Sequence, residues 1–157
     1  MSKSASEPTL AACLIVRNEA PFLADCLQSL AGVDALIVVD TGSADDTVAI
    51  ATRLGARVAH FSWGDDFAAA RNAALALATA DWVLAIDADQ RLVGGIAAVR
   101  ASIRQVGTRD TILCPAICNR DATGQPASRY RSGQLFARVP GRHYVGRIHE
   151  RVVDAVA

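Results

Sequence analysis

The chain carries no net charge, no apolar run of membrane-spanning length, no closely paired cysteines and no glycine-rich phosphate loop. Each absence removes a class of function. Its 16 Lys and Arg side chains balance 16 Asp and Glu, which excludes a general nucleic-acid binder, whose affinity comes from a surplus of cations. No apolar stretch approaches the roughly 20 residues of a membrane span. The short apolar run of residues 10–16 follows Glu7 and Pro8 and is succeeded at once by Arg17, Asn18 and Glu19, which suits a buried strand and not a signal peptide. Cys13, Cys26, Cys114 and Cys118 form neither a C-x-x-C pair nor a zinc spacing and lie within apolar patterns. Buried free thiols in a reducing cytoplasm are therefore expected. After the first apolar run, Arg17-Asn18-Glu19-Ala20 contains no glycine, so a dinucleotide fingerprint and a P-loop are both excluded. A receiver domain would need an acidic pair there, and Val16-Arg17 stands in its place.

What the chain does have is a globular composition: 157 residues, 52% of them apolar and 20% charged. That length suits one domain with a proper core, expected over residues 10–157 behind a polar, loose stretch of residues 1–9. The zero net charge hides an asymmetry. Residues 1–89 hold 12 acidic and 5 basic side chains, and residues 90–157 hold 4 acidic and 11 basic. An acidic half suited to a cation precedes a basic half suited to an anion.

Apolar periodicity orders the elements. Strands are expected at residues 10–16, 35–39, 57–61 and 82–86. Helices are expected from Pro21 to a stop near Gly32, from Asp45 to Gly55, over 67–78 and over 96–106. The first ninety residues thus read β-α-β-α-β-α-β, with strands apolar on both sides. This is the pattern of a mostly parallel sheet with helices on both faces. Beyond residue 110 the pattern changes to strand-like pieces at 111–117, 134–137 and 144–148, a mixed or antiparallel C-terminal part.

In open α/β sheets ligands bind beyond the carboxyl ends of the strands. Those ends carry Arg17-Asn18-Glu19, Asp40-Thr41-Gly42-Ser43, Trp63-Gly64-Asp65-Asp66 and Asp87-Ala88-Asp89. Converging carboxylates repel one another, and a hard divalent cation such as Mg2+ or Mn2+ is the natural compensation. Asp66 is placed to cap the third helix. Arg71, one turn into that helix, suits either a carboxylate partner or a nucleotide.

The runs Cys13-Leu14-Ile15-Val16-Arg17-Asn18-Glu19, Val38-Val39-Asp40-Thr41-Gly42-Ser43, Trp63-Gly64-Asp65-Asp66-Phe67 through Arg71-Asn72, and Trp82 through Asp89 resemble the nucleotide-sugar half of a family-2 glycosyltransferase with the GT-A, Rossmann-like fold. A weaker match resumes at Gly146-Arg147-Ile148-His149-Glu150. Gln90 departs from the acidic residue usual after D-x-D in the branch with that tail.

The resemblance implies a metal-dependent, inverting, hexosyl-type transferase that moves a sugar from a nucleotide-sugar, a UDP-sugar foremost, to an unidentified acceptor. Residues 10–92 would hold the donor, and a shortened half of residues 93–157 would face the acceptor. Arg17, Asn18, Glu19, Asp40, Arg71 and Asp87 are the implied nucleotide-sugar contacts, with Asp40 at the nucleobase and Asp87 at the ribose. Asp89 and His149 are the implied metal ligands, and Glu150 the candidate general base. Asp40 also reads as a plain turn aspartate. The arginines of the tail, Arg129, Arg131, Arg138, Arg142 and Arg147, suggest a face toward an anionic acceptor or the donor diphosphate. A nucleotide-sugar-binding module without turnover is the alternative.

Overall fold

The computed structural model describes residues 7–155. Alternation along β1 (Leu10–Val16) sets up two cores. Leu10, Ala12, Leu14 and Val16 face one layer of helices, while Ala11 and Cys13 face the other. Pro21 opens α1 (Ala20–Ser29), and Gly32, in the left-handed region at φ 103°, turns the chain into β2 (Ala35–Asp40). α2 (Thr47–Arg53) begins two residues later than its acidic pair suggests, because Asp45 accepts from the Thr47 amide outside the helix. β3 (Arg57–His60), α3 (Phe67–Leu77) and β4 (Trp82–Ala85) follow as the periodicity predicts.

α1, α2 and α4 (Gly95–Val106) supply the larger core through Leu23, Leu27, Ala51, Ile96 and Val99. α3 is rich in alanine, and Ala68 and Ala74 let it lie close against Ile37, Val39 and Val83 on the opposite face.

The C-terminal part is more finely divided than its apolar pieces suggest. β5 (Gln90–Leu92) and β8 (Pro126–Arg131) sandwich β7 (Ala116–Arg120) in an antiparallel sheet. The strand expected over 111–117 splits at Pro115. β6 (Ile112–Leu113) joins the main sheet and β7 the outer one. A proline has no amide to donate to a ladder, so the chain changes sheets there. β9 (Leu135–Ala137) runs antiparallel to β4 and completes a six-stranded sheet of order β3-β2-β1-β4-β9-β6.

The last expected strand, 144–148, is displaced. β10 (His143–Val145) stops before Gly146, whose φ of 98° leaves extended geometry, and pairs with β11 (Arg151–Val153). Residues 146–150 are therefore a loop. Of the loose stretch expected over residues 1–9, residues 1–6 lie outside the described residues. All four cysteines are free, with Cys13, Cys26 and Cys118 buried, but Cys114 beside Pro115 is exposed, contrary to expectation. No described helix is long and apolar enough to cross a membrane.

Candidate active site

β2 packs on one side of β1 and β4 on the other, so the carboxyl ends of β1 and β4 flank a topological switch point, where an open α/β sheet leaves a crevice. A cleft of about 650 Å³ opens there. The end of β1 contributes Arg17 and Glu19 to it, the end of β2 Thr41, and the end of β4 Asp87 and Asp89. Trp63 and Phe67 form one side, with ring centroids 4.8 Å apart and the Trp63 indole N–H donating to Asp65. The loop after β10 brings Ile148, His149 and Glu150 across from them.

Arg71 joins these parts. Asp66 caps α3, its Oδ1 accepting from the Ala69 amide at 2.9 Å, and the helix so fixed carries Arg71 to the inner end of the cleft. Arg71 is only 8% exposed. Nη2 donates to Asp87 Oδ1 at 2.6 Å, and Nε donates to Glu150 Oε1 at 3.2 Å. Burial works against its charge, but Asp87, Tyr144 and Glu150 outweigh burial and hold its pKa above the ordinary arginine value. One cation thus fixes a carboxylate of the strand rim and a carboxylate of the tail.

Among the described residues Glu19 and Asp89 have no such ion-pair partner. Burial, then the charges of Asp89, Asp87 and Asp45, push the Glu19 carboxyl up. Burial, then Asp87, does the same to Asp89. Among the described residues no three His, Cys, Asp or Glu side chains stand close enough to hold a metal ion. Asp89 and His149, the expected metal ligands, both line the cleft, His149 with its backbone at φ 57°. Two desolvated carboxylates with open solvent beside them still suit a hard cation, because Mg2+ and Mn2+ take one or two carboxylates and fill their shells with water and phosphate oxygens.

The family model for Glycosyl transferase family 2 matches residues 12–93, the segment that supplies the switch point and every rim carboxylate. The chain belongs to glycosyl transferase family 2. A TPR repeat-containing protein of Synechococcus elongatus is 42% identical over 146 residues, which is 92% of this chain and 35% of that one. The SPbeta prophage-derived glycosyltransferase SunS of Bacillus subtilis is 30% identical over 155 residues, 94% of this chain and 35% of SunS. The chain spans about a third of the length of these curated relatives. Its fold is that of S. aureus TarS 1–349, solved in complex with UDP (TM-score 0.52, 24% identity, 60% of this chain and 31% of that one) and with UDP-GlcNAc (TM-score 0.56, 21% identity, 67% and 33%). The GT-A expectation thus holds.

In this family-2 chain several candidate residues stand away from the cleft lining. Asn18, at φ 54°, accepts from the Ala44 amide through Oδ1 and clamps the loop after β2. The Asp40 carboxylate is 4% exposed and accepts from the Gly42 and Ser43 amides and from His60. Its place is the turn. Arg142 is buried, forms a two-point pair with Asp154, and donates to the carbonyls of Arg109 and Ala137. Arg147 donates to the carbonyls of Gly64 and Asp65. The face expected to attract an anion is thus spent, at these two positions, on backbone oxygens.

Two residues to which the sequence assigns no role shape the site. Asn72 exchanges two hydrogen bonds with the Tyr144 backbone, at 2.9 and 2.8 Å, and so carries β10 against α3. Gln90 donates to Asp87 Oδ2 and accepts from the Asp87 amide. Its departure from an acidic residue was visible in the sequence; its grip on Asp87 was not.

Proposed function

We propose that this chain forms the donor-binding part of a glycosyltransferase that moves a hexose-type sugar from a nucleotide-sugar, a UDP-sugar foremost, to a hydroxyl acceptor with inversion. The split into a donor-facing 10–92 and an acceptor-facing 93–157 belongs to this reading. The observation that carries it is the guanidinium of Arg71, which spans Asp87 at the strand rim and Glu150 on the tail loop at 2.6 and 3.2 Å.

The nucleotide lies along Arg17, Thr41 and Trp63 in this reading, which the open crevice at the switch point supports. Asp87, held by Arg71 and Gln90, faces the ribose, while Asp40, whose carboxylate accepts from the Gly42 and Ser43 amides, shapes the turn beside Thr41. Asp89 is the principal protein ligand for Mn2+ or Mg2+, with Glu19 adding negative charge and His149 a second ligand. Bound there, the cation supplies Lewis-acid neutralisation of the departing diphosphate.

Arg71 then fixes one oxygen of Glu150 and leaves the other to accept the proton of the attacking hydroxyl. Glu150 is thereby the general base. Attack on the face opposite the leaving group forms the new glycosidic bond as the sugar–phosphate bond breaks.

Calorimetry with UDP, GDP and CDP, each with and without Mn2+, tests the reading. UDP should bind most tightly and only with the metal. Asp89→Asn should weaken that binding by about 1–3 kcal/mol, the scale of a lost charge-assisted contact. Glu150→Gln should spare UDP binding and abolish transfer. Absence of nucleotide binding, or UDP affinity indifferent to both Mn2+ and Asp89, overturns it.

A further inference from the structure

A second cavity, of about 250 Å³, shares the wall formed by Arg71, Asp87 and Glu150 with the cleft and extends beneath the antiparallel sheet to Gln90, Tyr130 and Gln134. Its hydrogen bonds form a chain whose polarity is forced. The Asp87 amide is an obligate donor, and it donates to Gln90 Oε1 at 3.0 Å. The other side of the Gln90 amide must then be its NH2 group, which donates to Asp87 Oδ2 at 3.1 Å and to the Tyr130 hydroxyl at 2.8 Å. Tyr130 passes its proton on to Asn119 Oδ1. Gln134 donates from Nε2 to the same Gln90 oxygen at 3.0 Å, so its own free end must be the carbonyl oxygen.

That oxygen, Gln134 Oε1, is buried and has no partner among the described residues. Arg71 Nη1 is likewise buried and unpartnered, since its other nitrogens are spent on Asp87 and Glu150. A buried polar atom left unsatisfied is costly, and native proteins rarely retain one without a ligand or water to meet it. One acceptor and one donor without protein partners, on residues lining one cavity, call for a group that can both donate and accept. A carboxylate or a phosphodiester has no proton for Gln134, and an ammonium has no lone pair for Arg71. A hydroxyl serves both. The charged groups around the cavity, Asp87 and Glu150 against Arg71 and Arg151, balance and so favour a neutral group.

We propose that this cavity binds hydroxyls of a neutral sugar ring, with Gln134 Oε1 accepting and Arg71 Nη1 donating, and that the Gln90–Gln134 amide pair is a specificity-determining element for that sugar. The inference rests on the donor reading above and assigns it a residue outside the matched segment of 12–93. The ring belongs either to the donor or to the acceptor, and both present the same chemistry.

Calorimetry on the full chain with Mn2+ separates these sources. Gln134→Leu should leave UDP affinity within about twofold of the parent, while affinity for at least one of UDP-glucose, UDP-galactose or UDP-GlcNAc falls about tenfold, the scale of one buried hydrogen bond. An acceptor ring shows instead as unchanged affinity for all three UDP-sugars and about tenfold weaker uptake of free glucose, galactose or N-acetylglucosamine by the UDP complex.

On the parent protein, which needs no variant to fold, the Gln134 side-chain amide resonances should shift with the sugar-bearing ligand and stay in place with UDP alone. Unchanged resonances, equal losses for UDP and every UDP-sugar, or no loss with any sugar overturn the sugar cavity while leaving the donor reading intact. Failure of the parent to bind UDP overturns both.

Discussion

Strand β1 is buried at every position but Ile15, whereas β8, nearly as long, is exposed along its whole length. The two strands stand for two ways of holding a chain in place. Around β1, apolar side chains on both faces of a parallel sheet leave water, and the free energy scales with the area removed. Around the later strands, guanidinium groups tie segments together by donating to main-chain oxygens. Arg109 reaches the carbonyls of Asp81 and Arg138, Arg131 that of Cys114, Arg138 that of Ala80, and Arg142 those of Arg109 and Ala137. Long side chains can bridge segments too short to build a core of their own. The comparison teaches that the basic character of residues 90–157 is in large part structural.

The largest effect is expected where burial alone acts. Leu14→Ala empties a fully buried position and should cost about 3 kcal/mol in urea denaturation. Arg129→Ala on exposed β8 should stay within about 0.5 kcal/mol. Similar losses at the two positions would break the contrast.

Arg142→Met comes next. It removes the Asp154 pair and leaves two carbonyls without their donor, for a loss of about 2 kcal/mol by the same measurement. UDP affinity and its salt dependence should not move, because Arg142 is a staple and not part of an anion site. A salt slope that flattens in this variant would restore the anion-facing reading.

Asp66→Ala should cost about 1 kcal/mol, the worth of one helix cap, and should lower transfer further by loosening the helix that presents Arg71. Circular dichroism melts together with a transfer assay would read both effects.

The smallest effect carries the opposite sign. The Asp89 carboxyl is raised in the folded state by burial and by Asp87, so its ionisation works against folding. That cost is fully present above the raised value. It fades as pH falls through it toward the ordinary carboxyl value of about 4, where folded and unfolded chains are both protonated. Asp89→Asn should therefore stabilise the protein at neutral pH by less than about 1 kcal/mol, since the site is partly open to solvent. The gain should shrink as pH is lowered through that window. A neutral-pH loss of stability would show that the rim carboxylates are not in conflict.

The same contrast explains which parts of the fold and site were legible in the sequence. Strands buried on both faces announce themselves as apolar runs, and β1, β2 and β4 lie where residues 10–16, 35–39 and 82–86 predict them. β8, Pro-Ala-Ser-Arg-Tyr-Arg, has no apolar alternation to read, because its place is set by register against β7. β10 is shorter than the sequence pattern suggests, because the left-handed Gly146 ends the strand before Ile148. At the site, the rim carboxylates were legible from their position after apolar strands. The partners of Arg71 were not, because Glu150 is 79 residues away in sequence. For Arg142 and Asn18, residue type suggested ligand contacts, but backbone groups nearby in space claimed the side chains first.

The thiols distribute clocks through these layers. Cys13 lies on β1 and Cys26 on α1, and burial pushes both up to about 12, so as thiols they are inert toward alkylating reagents while the fold is closed. Cys118 is buried in the outer antiparallel sheet, and Cys114 is exposed. A maleimide should therefore mark Cys114 at once, and the delay before each further label measures how often that layer opens. If the outer sheet breathes independently of the parallel core, Cys118 reacts well before Cys13 and Cys26. If the molecule opens only as a whole, the three buried sulfurs react together.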